Sequence, residues 1–311
     1  MNTMQSLAVL FVQLCCGKVT FKMLNYDQQL REPMDMPDPE FPIKVHTQRF
    51  DRAGVVLFPH HWHEHLEFLF IERGEAVFEC GRTPISVRAG DLIAVNSNEL
   101  HYGVSASADL LYYAIIADTS LLHSAVSDAA ETKFIAPIQQ NRMLLRNHIR
   151  GDQHITDCAL TIIRELERRE FGYELAVKAE LYRLLTLLLR GHVVTVLSQA
   201  EQTRRIQTIE RFAPVLRHID THYKEPIFVD GLAALAGLSR FHFSRLFKEL
   251  TGHTVSEYVN AVRLDRADHM LRHTQLTVSE IAAATGFNDI YYFSRTFKKH
   301  KQRTPSSVRG F

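Results

Sequence analysis

A repeat near the end of this 311-residue chain restricts the folds that it can adopt. The string FSRLFK at 243–248 recurs as FSRTFK at 293–298. Each copy follows an alanine-rich stretch that ends in glycine, VDGLAALAG at 229–237 and VSEIAAATG at 278–286. A short helix, a glycine-containing turn and a second helix form the helix-turn-helix pattern, in which small alanines let the two helices cross closely. The sequence therefore predicts two copies of this unit.

The units are expected at about residues 229–250 and 278–300. Ser239 stands at the N-cap position of the first unit's second helix, and Asn288 or Asp289 stands there in the second unit. Four phenylalanines, spaced i and i+4, share one helix face and are interpreted as core. They are Phe243, Phe247, Phe293 and Phe297.

A long helix is predicted between the two units, from Val255 to Arg272, with capping boxes formed by Thr254 with Glu257 before it and by Thr277 with Glu280 after it. Its length of about 27 Å is close to the ~34 Å between successive major-groove turns on one side of DNA. Such a rod could hold two recognition helices in adjacent grooves.

Residues from about 210 to 311 resemble the DNA-binding domain of the AraC/XylS family of bacterial transcription regulators. The matching strings are RADHML and VSEIAAATGFNDIYYFSRTFKKHKQRTPSSVRG. The resemblance implies a regulator that binds promoter DNA, more often an activator than a repressor, and that works with RNA polymerase.

By position, the second helices present a set of side chains to DNA. These are Arg240, Phe241, His242, Ser244, Arg245, Lys248, Asp289, Ile290, Tyr291, Ser294, Arg295, Lys298 and Lys299. Arg245 and Arg295 lie roughly 200° around the helix from the phenylalanines, and arginine can read guanine bidentately. The lysines are expected to contact phosphates. The alternative is that these charges are only solvated surface.

Charge and cysteine usage narrow the class of protein. From Ile206 onward the chain has 15 Lys+Arg against 10 Asp+Glu, whereas the first 205 residues have 21 against 25. The four cysteines lack CxxC spacing, which favours a reducing, cytoplasmic compartment. The apolar stretch near the start is too short for a membrane span and lacks the basic n-region and small-residue cleavage site of a signal peptide, and Met23 is an alternative start.

Residues 41–120 alternate in short apolar runs and predict a small antiparallel barrel. Hairpin signals occur at Arg73–Gly74 and Cys80–Gly81, and a turn is predicted at Gly90–Asp91. The stretch PHHWHEHLEF at 59–68 contains four histidines. Its spacing, with the glycines around it, resembles the cupin motifs.

Alternation along one strand would put His61, His63 and Glu67 on the same face, where His101 could join them inside the barrel. Three histidines and a glutamate could hold Fe(II), Mn(II), Ni(II) or Zn(II). Contact with an organic effector and a purely structural cluster are the alternatives. No cofactor is expected unless this cluster holds a metal.

Residues 121–192 are expected to contain two amphipathic helices joined at Phe171–Gly172, which would serve as a dimer interface or pack on their own barrel. The stripe of the second helix comprises Leu175, Ala179, Leu181, Leu184, Leu185 and Leu188. Residues 193–209 are predicted as a linker, and Pro214 suits the first turn of the next helix.

The predicted fold is therefore α+β with two domains. A segment at 1–40 precedes a cupin-like sensor barrel, and helices connect the barrel to an all-α domain with two helix-turn-helix units. We expect a cytoplasmic, homodimeric regulator that binds promoter DNA and a small-molecule effector, with no enzymatic activity and no membrane partner. The alternative is a metal-dependent cupin enzyme, or a metal sensor, fused to a DNA-binding domain.

Overall fold

The computed structural model describes residues 8–15, 18–25, 31–32, 35–81, 83–122, 128–301 and 303–308. The chain divides into two compact units, Met1–Gln207 and Thr208–Phe311. Within the described part, every helix is too short or too polar to cross a membrane.

Almost all strands belong to the first half of the chain. They are β1 (Ala8–Cys15), β2 (Lys18–Asn25), β3 (Ile43–Phe50), β4 (Val56–His61), β5 (Leu66–Arg73), β6 (Glu75–Cys80), β7 (Thr83–Arg88), β8 (Leu92–Val95), β9 (His101–Ser105), β10 (Leu110–Ala117), β11 (Met143–Leu145), β12 (His148–Ile149) and β13 (Val193–Val196).

The α-helices follow, after a 3-10 turn at Thr119–Leu122 and a π-helical turn at Glu131–Ile135. They are α1 (Ala136–Gln139), α2 (Gln153–Arg168), α3 (Tyr173–Gly191), α4 (Gln199–His222), α5 (Val229–Leu235), α6 (Arg240–Thr251), α7 (Val255–His273), α8 (Val278–Ala284), α9 (Ile290–Lys301) and α10 (Pro305–Val308).

The predicted barrel consists of two antiparallel sheets, ordered β12-β8-β5-β10-β3 and β4-β9-β6-β7. Ile71 from the first sheet and Phe78 from the second belong to one buried cluster, so the sheets enclose a common core. Arg73–Gly74 is not a hairpin, because β5 and β6 belong to different sheets. Gly74 turns the corner between them with φ +80°, and an added Cβ would lie 2.7 Å from Leu110 Cα.

The outer face of the five-stranded sheet packs against α2 and α3. Phe68 on β5 joins Ile162 and Leu184 of the two helices in one core, as expected if the helices cover their own barrel. The predicted stripe on α3 is wrong at two positions, since Leu175 is 76% exposed and Ala179 is also exposed. The buried face of α3 instead runs through Val177 and Leu181, and Leu175 and Ala179 lie on the opposite side of the helix.

Regular elements occupy the segment 193–209, where a linker was predicted. The β-branched run of β13 pairs with β11, and α4 begins at Gln199. Ser198 and Glu201 form a capping box, with Ser198 N donating to Glu201 Oε2 at 2.8 Å. Pro214 therefore lies inside α4 rather than in its first turn.

The second unit contains both helix-turn-helix motifs, each with its own aromatic core. Phe243 and Phe247 of α6 contact Phe212 of α4, with ring centroids 5.4 and 6.2 Å apart. Phe293 and Phe297 of α9 are fully buried and pack with residues of α7 and α8. The four phenylalanines are core residues, as predicted.

Helix α7 confirms the predicted rod between the motifs. It starts from the complete capping box of Thr254 and Glu257, and a second complete box of Thr277 and Glu280 starts α8. At 1.5 Å per residue, α7 is about 28 Å long.

Candidate functional sites

Side-chain caps fix where both recognition helices begin. Ser239 Oγ accepts a hydrogen bond from His242 N at the start of α6. At the start of α9, Asp289 Oδ1 accepts one from Tyr292 N at 2.8 Å. Asp289, and not Asn288, is therefore the cap of the second recognition helix, so its carboxylate already has a structural partner.

The predicted DNA-facing side chains point away from the aromatic core. Twelve of the thirteen are exposed, and Ser294 is half-buried. Phe241 and Tyr291 occupy equivalent positions in the repeat, and each is 84% exposed. Large aromatic side chains this exposed have no role in the core, which leaves them available to a partner.

The arginines of the two recognition helices have different neighbours. Arg240 Nη1 lies 3.2 Å from Asp230 Oδ2, and Arg245 Nη1 donates to Glu249 Oε1 at 3.0 Å. The guanidinium of Arg295 lies 6.0 Å from the centroid of the Tyr292 ring. Exposed ion pairs of this kind contribute little to stability, so the arginines of α6 can exchange their partners for DNA.

Two residues of α7 position the second motif, and sequence reasoning missed both. Asn260 Nδ2 donates to the Tyr292 hydroxyl at 3.0 Å. Arg263 donates to the carbonyl oxygens of Tyr223 at 2.6 Å and Glu225 at 2.9 Å, while its guanidinium lies over the Phe287 ring. These contacts connect the rod to α9 and to the end of α4.

A second candidate site lies inside the sheets of the first unit. The expected continuous strand through residues 61–67 is interrupted, because β4 ends at His61 and β5 begins at Leu66, in the other sheet. His61, His63 and His101 nevertheless converge, and their ligand nitrogens all lie within 4.8 Å of one another. Pairing of β4 with β9 places His61 opposite His101, and His63 follows where the chain crosses to the other sheet.

All three imidazoles are oriented by backbone carbonyls, which accept hydrogen bonds from their Nδ1 atoms. His61 Nδ1 donates to Pro59 O at 2.9 Å, and His63 Nδ1 donates to His65 O at 3.2 Å. His101 Nδ1 donates to Glu99 O at 2.8 Å. The Nε2 atoms remain for the interior of the cluster.

Glu67 completes the predicted group of four. Its Oε2 lies 3.2 Å from His63 Nε2 and 3.2 Å from His101 Nε2. His63 and His101 are each 1% exposed, and Phe58 packs edge-on against His61 and His101. The cluster is thus a buried polar group beside an apolar ring.

Glu32 is an unpredicted member of this site, contributed by the segment before the barrel. Its Oε2 lies 3.0 Å from His61 Nε2. Glu32 N donates to Trp62 O at 2.9 Å, and Arg31 pairs with Glu64. No local pattern in residues 1–40 indicated this contact, which joins residues distant in sequence.

The ionisable groups shift one another's pKa values. Burial would raise the pKa of Glu67, but the neighbouring imidazoles of His101 and His63 hold it well below its usual range. Burial and the charge of His61 lower the pKa of His101 to about 4. Burial would lower the pKa of His61, but Glu32 and Glu67 raise it. Burial would raise the pKa of Glu32, but His61 lowers it to about 2.

The other histidines of the stretch have separate partners. His60 stacks on Tyr102 with ring centroids 4.7 Å apart, and its Nε2 lies 3.7 Å from a Glu79 oxygen. His65 Nε2 lies 3.0 Å from Asp118 Oδ2. The site therefore uses two of the four histidines in this stretch.

Family models match both units of the chain. An AraC-like ligand binding domain covers residues 48–185, and a helix-turn-helix domain covers residues 232–310. The transcriptional regulator YdeC of Bacillus subtilis is 26% identical over 91% of this chain and 97% of its own length. The transcriptional activator RhaS of Klebsiella pneumoniae is 26% identical over 85% of this chain and 96% of its own.

Two solved structures are also similar to this chain. ToxT of Vibrio cholerae, in a structure bound to an unsaturated fatty acid, is 12% identical over 86% of this chain and 94% of its own, with a TM-score of 0.41. An AraC-type regulator from Chromobacterium violaceum is 31% identical over 32% of this chain and 89% of its own, with a TM-score of 0.31.

Proposed function

Because the chain is a transcriptional regulator of the AraC/XylS family, we propose that α6 and α9 read promoter DNA and that occupancy of the histidine cluster controls this reading. The observation that supports the DNA contacts is the repeated exposed face of the two helices. Both helices bury two phenylalanines and present an aromatic residue, a serine, an arginine and a lysine at equivalent positions.

The two helices read successive turns of the major groove. Helix α7, about 28 Å long, separates the motifs by a distance near the ~34 Å between those turns. Arg245 and Arg295 each contact a guanine through its O6 and N7 atoms, while Lys248, Lys298 and Lys299 contact phosphates. The operator therefore contains two subsites about one helical turn apart, with a guanine in each.

The test begins by selecting binding sites for the full chain from a random DNA library. Arg245→Ala and Arg295→Ala are each expected to weaken binding to the selected site by ~1–3 kcal/mol and to relax the preference for one guanine. Both side chains are exposed, so the circular dichroism spectrum should not change. Undiminished, sequence-specific binding by both variants would refute the assignment.

The ligand acts by preferring one conformation of the regulator. It can change DNA affinity only by its difference in affinity between the two states, because binding at the two sites is thermodynamically linked.

We propose an activator that acts in the cytoplasm, contacts RNA polymerase and forms a homodimer. A candidate dimer surface is formed by the turn before α3 and the first turn of that helix, where Phe171 and Leu175 are exposed.

A metal-dependent cupin enzyme joined to the DNA-binding unit is the second candidate, supported by the converging donor atoms of the cluster. A sensor returns its ligand unchanged, whereas an enzyme converts it. Mass spectrometry of a small molecule found by thermal-shift screening, before and after incubation with the metal-loaded protein, distinguishes the two.

A further inference from the structure

In the histidine cluster, hydrogen-bond acceptors face one another, and a bound cation would stabilise this arrangement. A backbone carbonyl can only accept, so the Nδ1 atoms of His61, His63 and His101 carry protons. A neutral imidazole protonated at Nδ1 presents a lone pair at Nε2. These Nε2 atoms face the carboxylates of Glu67 and Glu32 at 3.0–3.2 Å.

Protonation of the three imidazoles would not stabilise this arrangement well. Three imidazolium rings would repel one another, because their centroids are only 4.1, 5.1 and 5.8 Å apart. The buried Nε2 of His101 lies 3.2 Å from Glu67 Oε2 but has no hydrogen-bond partner among the described residues. One cation between the rings would lie within reach of all three imidazoles, with the two carboxylates beside them.

The distances suit a transition-metal ion. Adjacent ligands about 2.1 Å from an ion are about 3.0–3.4 Å apart, and the carboxylate oxygens lie 3.0 and 3.2 Å from their nearest Nε2 atoms. An ion equidistant from three nitrogens 4.8 Å apart lies within about 2.8 Å of each, so a small contraction would complete the bonds.

The shell around the histidines also has the form of a metal site. Metal-bound histidines usually donate their second ring N–H to a carbonyl or a carboxylate, which fixes the tautomer and the ring orientation. All three histidines of the cluster donate such a hydrogen bond to a backbone carbonyl. Imidazole nitrogens with one or two carboxylates suit Zn(II), Fe(II), Co(II) or Ni(II).

We propose that one divalent first-row transition-metal ion binds to Nε2 of His61, His63 and His101 and to the Glu67 carboxylate, with Glu32 as an additional ligand. The regulatory part of this inference rests on the proposed function: the metal-loaded cluster is the signalling state of the sensor. Glu32 belongs to the segment before the barrel, so the site extends beyond the barrel itself. The backbone hydrogen bond from Glu32 N to Trp62 O holds that segment next to the cluster.

The test uses the full chain, stripped of metal with a chelator and titrated with Co(II) while visible absorption is recorded. One Co(II) per chain is expected, displaced by Zn(II). His61→Ala should weaken binding at least a hundredfold, and Glu32→Gln about tenfold. His60→Ala is the matched control on the same strand and should bind as the wild type does, because His60 faces Glu79.

Glu67→Gln keeps the side-chain shape and replaces His61→Ala if that variant does not fold. Failure of the stripped chain to bind Co(II) or Zn(II), or unchanged affinity in both variants, would overturn the metal site. The selected operator DNA is titrated in parallel. DNA binding that persists without any metal site leaves the proposed DNA-binding function intact. Metal binding that leaves DNA affinity unchanged would overturn the regulatory role alone.

Discussion

The two helix-turn-helix motifs share a core but differ in their charges. In the first, Arg240 and Arg245 pair with Asp230 and Glu249. In the second, serine replaces that aspartate, and Lys299 occupies the position of Glu249. Carboxylates therefore partly neutralise the first recognition helix, whereas the second ends in a basic run at 298–301. The difference indicates that α9 supplies more of the salt-dependent affinity.

The motifs also differ in how tightly their turns are packed. Gly237 and Gly286 both adopt positive φ, +63° and +86°. Space around Gly237 is open, but a Cβ on Gly286 would lie 2.7 Å from Lys224 O. The second motif is thus fitted closely against the end of α4, and the first has room to adjust.

Substitution of the turn glycines should give the largest contrast. Gly286→Ala combines left-handed strain with a backbone clash and is expected to destabilise its motif by about 2–4 kcal/mol. Gly237→Ala carries only the strain, about 1–2 kcal/mol. Hydrogen exchange of peptides covering 278–301 and 229–251 in the full chain measures both effects. Equal loss of protection in the two variants would contradict the difference in packing.

Exchanging the charges of the recognition helices tests the electrostatic difference. Glu249→Lys releases Arg245 and adds a cation, so DNA affinity should rise by about 1 kcal/mol at low salt. The slope of log affinity against log salt should steepen by about 0.9 if the new lysine reaches a phosphate. Lys299→Glu should change both quantities in the opposite direction. Slopes that do not move in either variant would show that these positions lie away from the DNA.

The helix-turn-helix motifs could be predicted because their signals are local. Residues a few positions apart set the spacing of Phe243 and Phe247 and the Thr277 capping box, and neither needs distant parts of the chain. The segment 193–209 carried a local signal too, since Ser198 and Glu201 match a capping box. Its polar composition favoured a linker, and the division between the two units does fall within it, but the segment is folded into β13 and the start of α4.

The histidine cluster could be predicted only in part from the sequence. His61, His63, Glu67 and His101 were predicted to converge, but the premise of one continuous strand was wrong. Pairing between strands set their final positions. Glu32 could not have been predicted, because its contact with His61 depends on a long-range placement that no periodicity encodes. The DNA contacts and the role of the cluster stay predictions.

The smallest difference between the motifs concerns the start of their first helices, and it can be reduced by one substitution. Helix α8 begins with a complete capping box, whereas α5 begins after Phe228 without a side-chain cap and has Gly231 where α8 has Glu280. A Cβ on Gly231 meets nothing within 4 Å. Gly231→Ala should therefore stabilise the first motif by about 0.5 kcal/mol, mainly by restricting the unfolded chain.

Slower hydrogen exchange in the peptide that covers α5, with exchange in α8 unchanged, would be the expected result. Gly237→Ala, which forces a positive φ on a side chain, is the matched control and should accelerate exchange there. If Gly231→Ala accelerates exchange as well, the glycine has a role in α5 that its open surroundings do not explain.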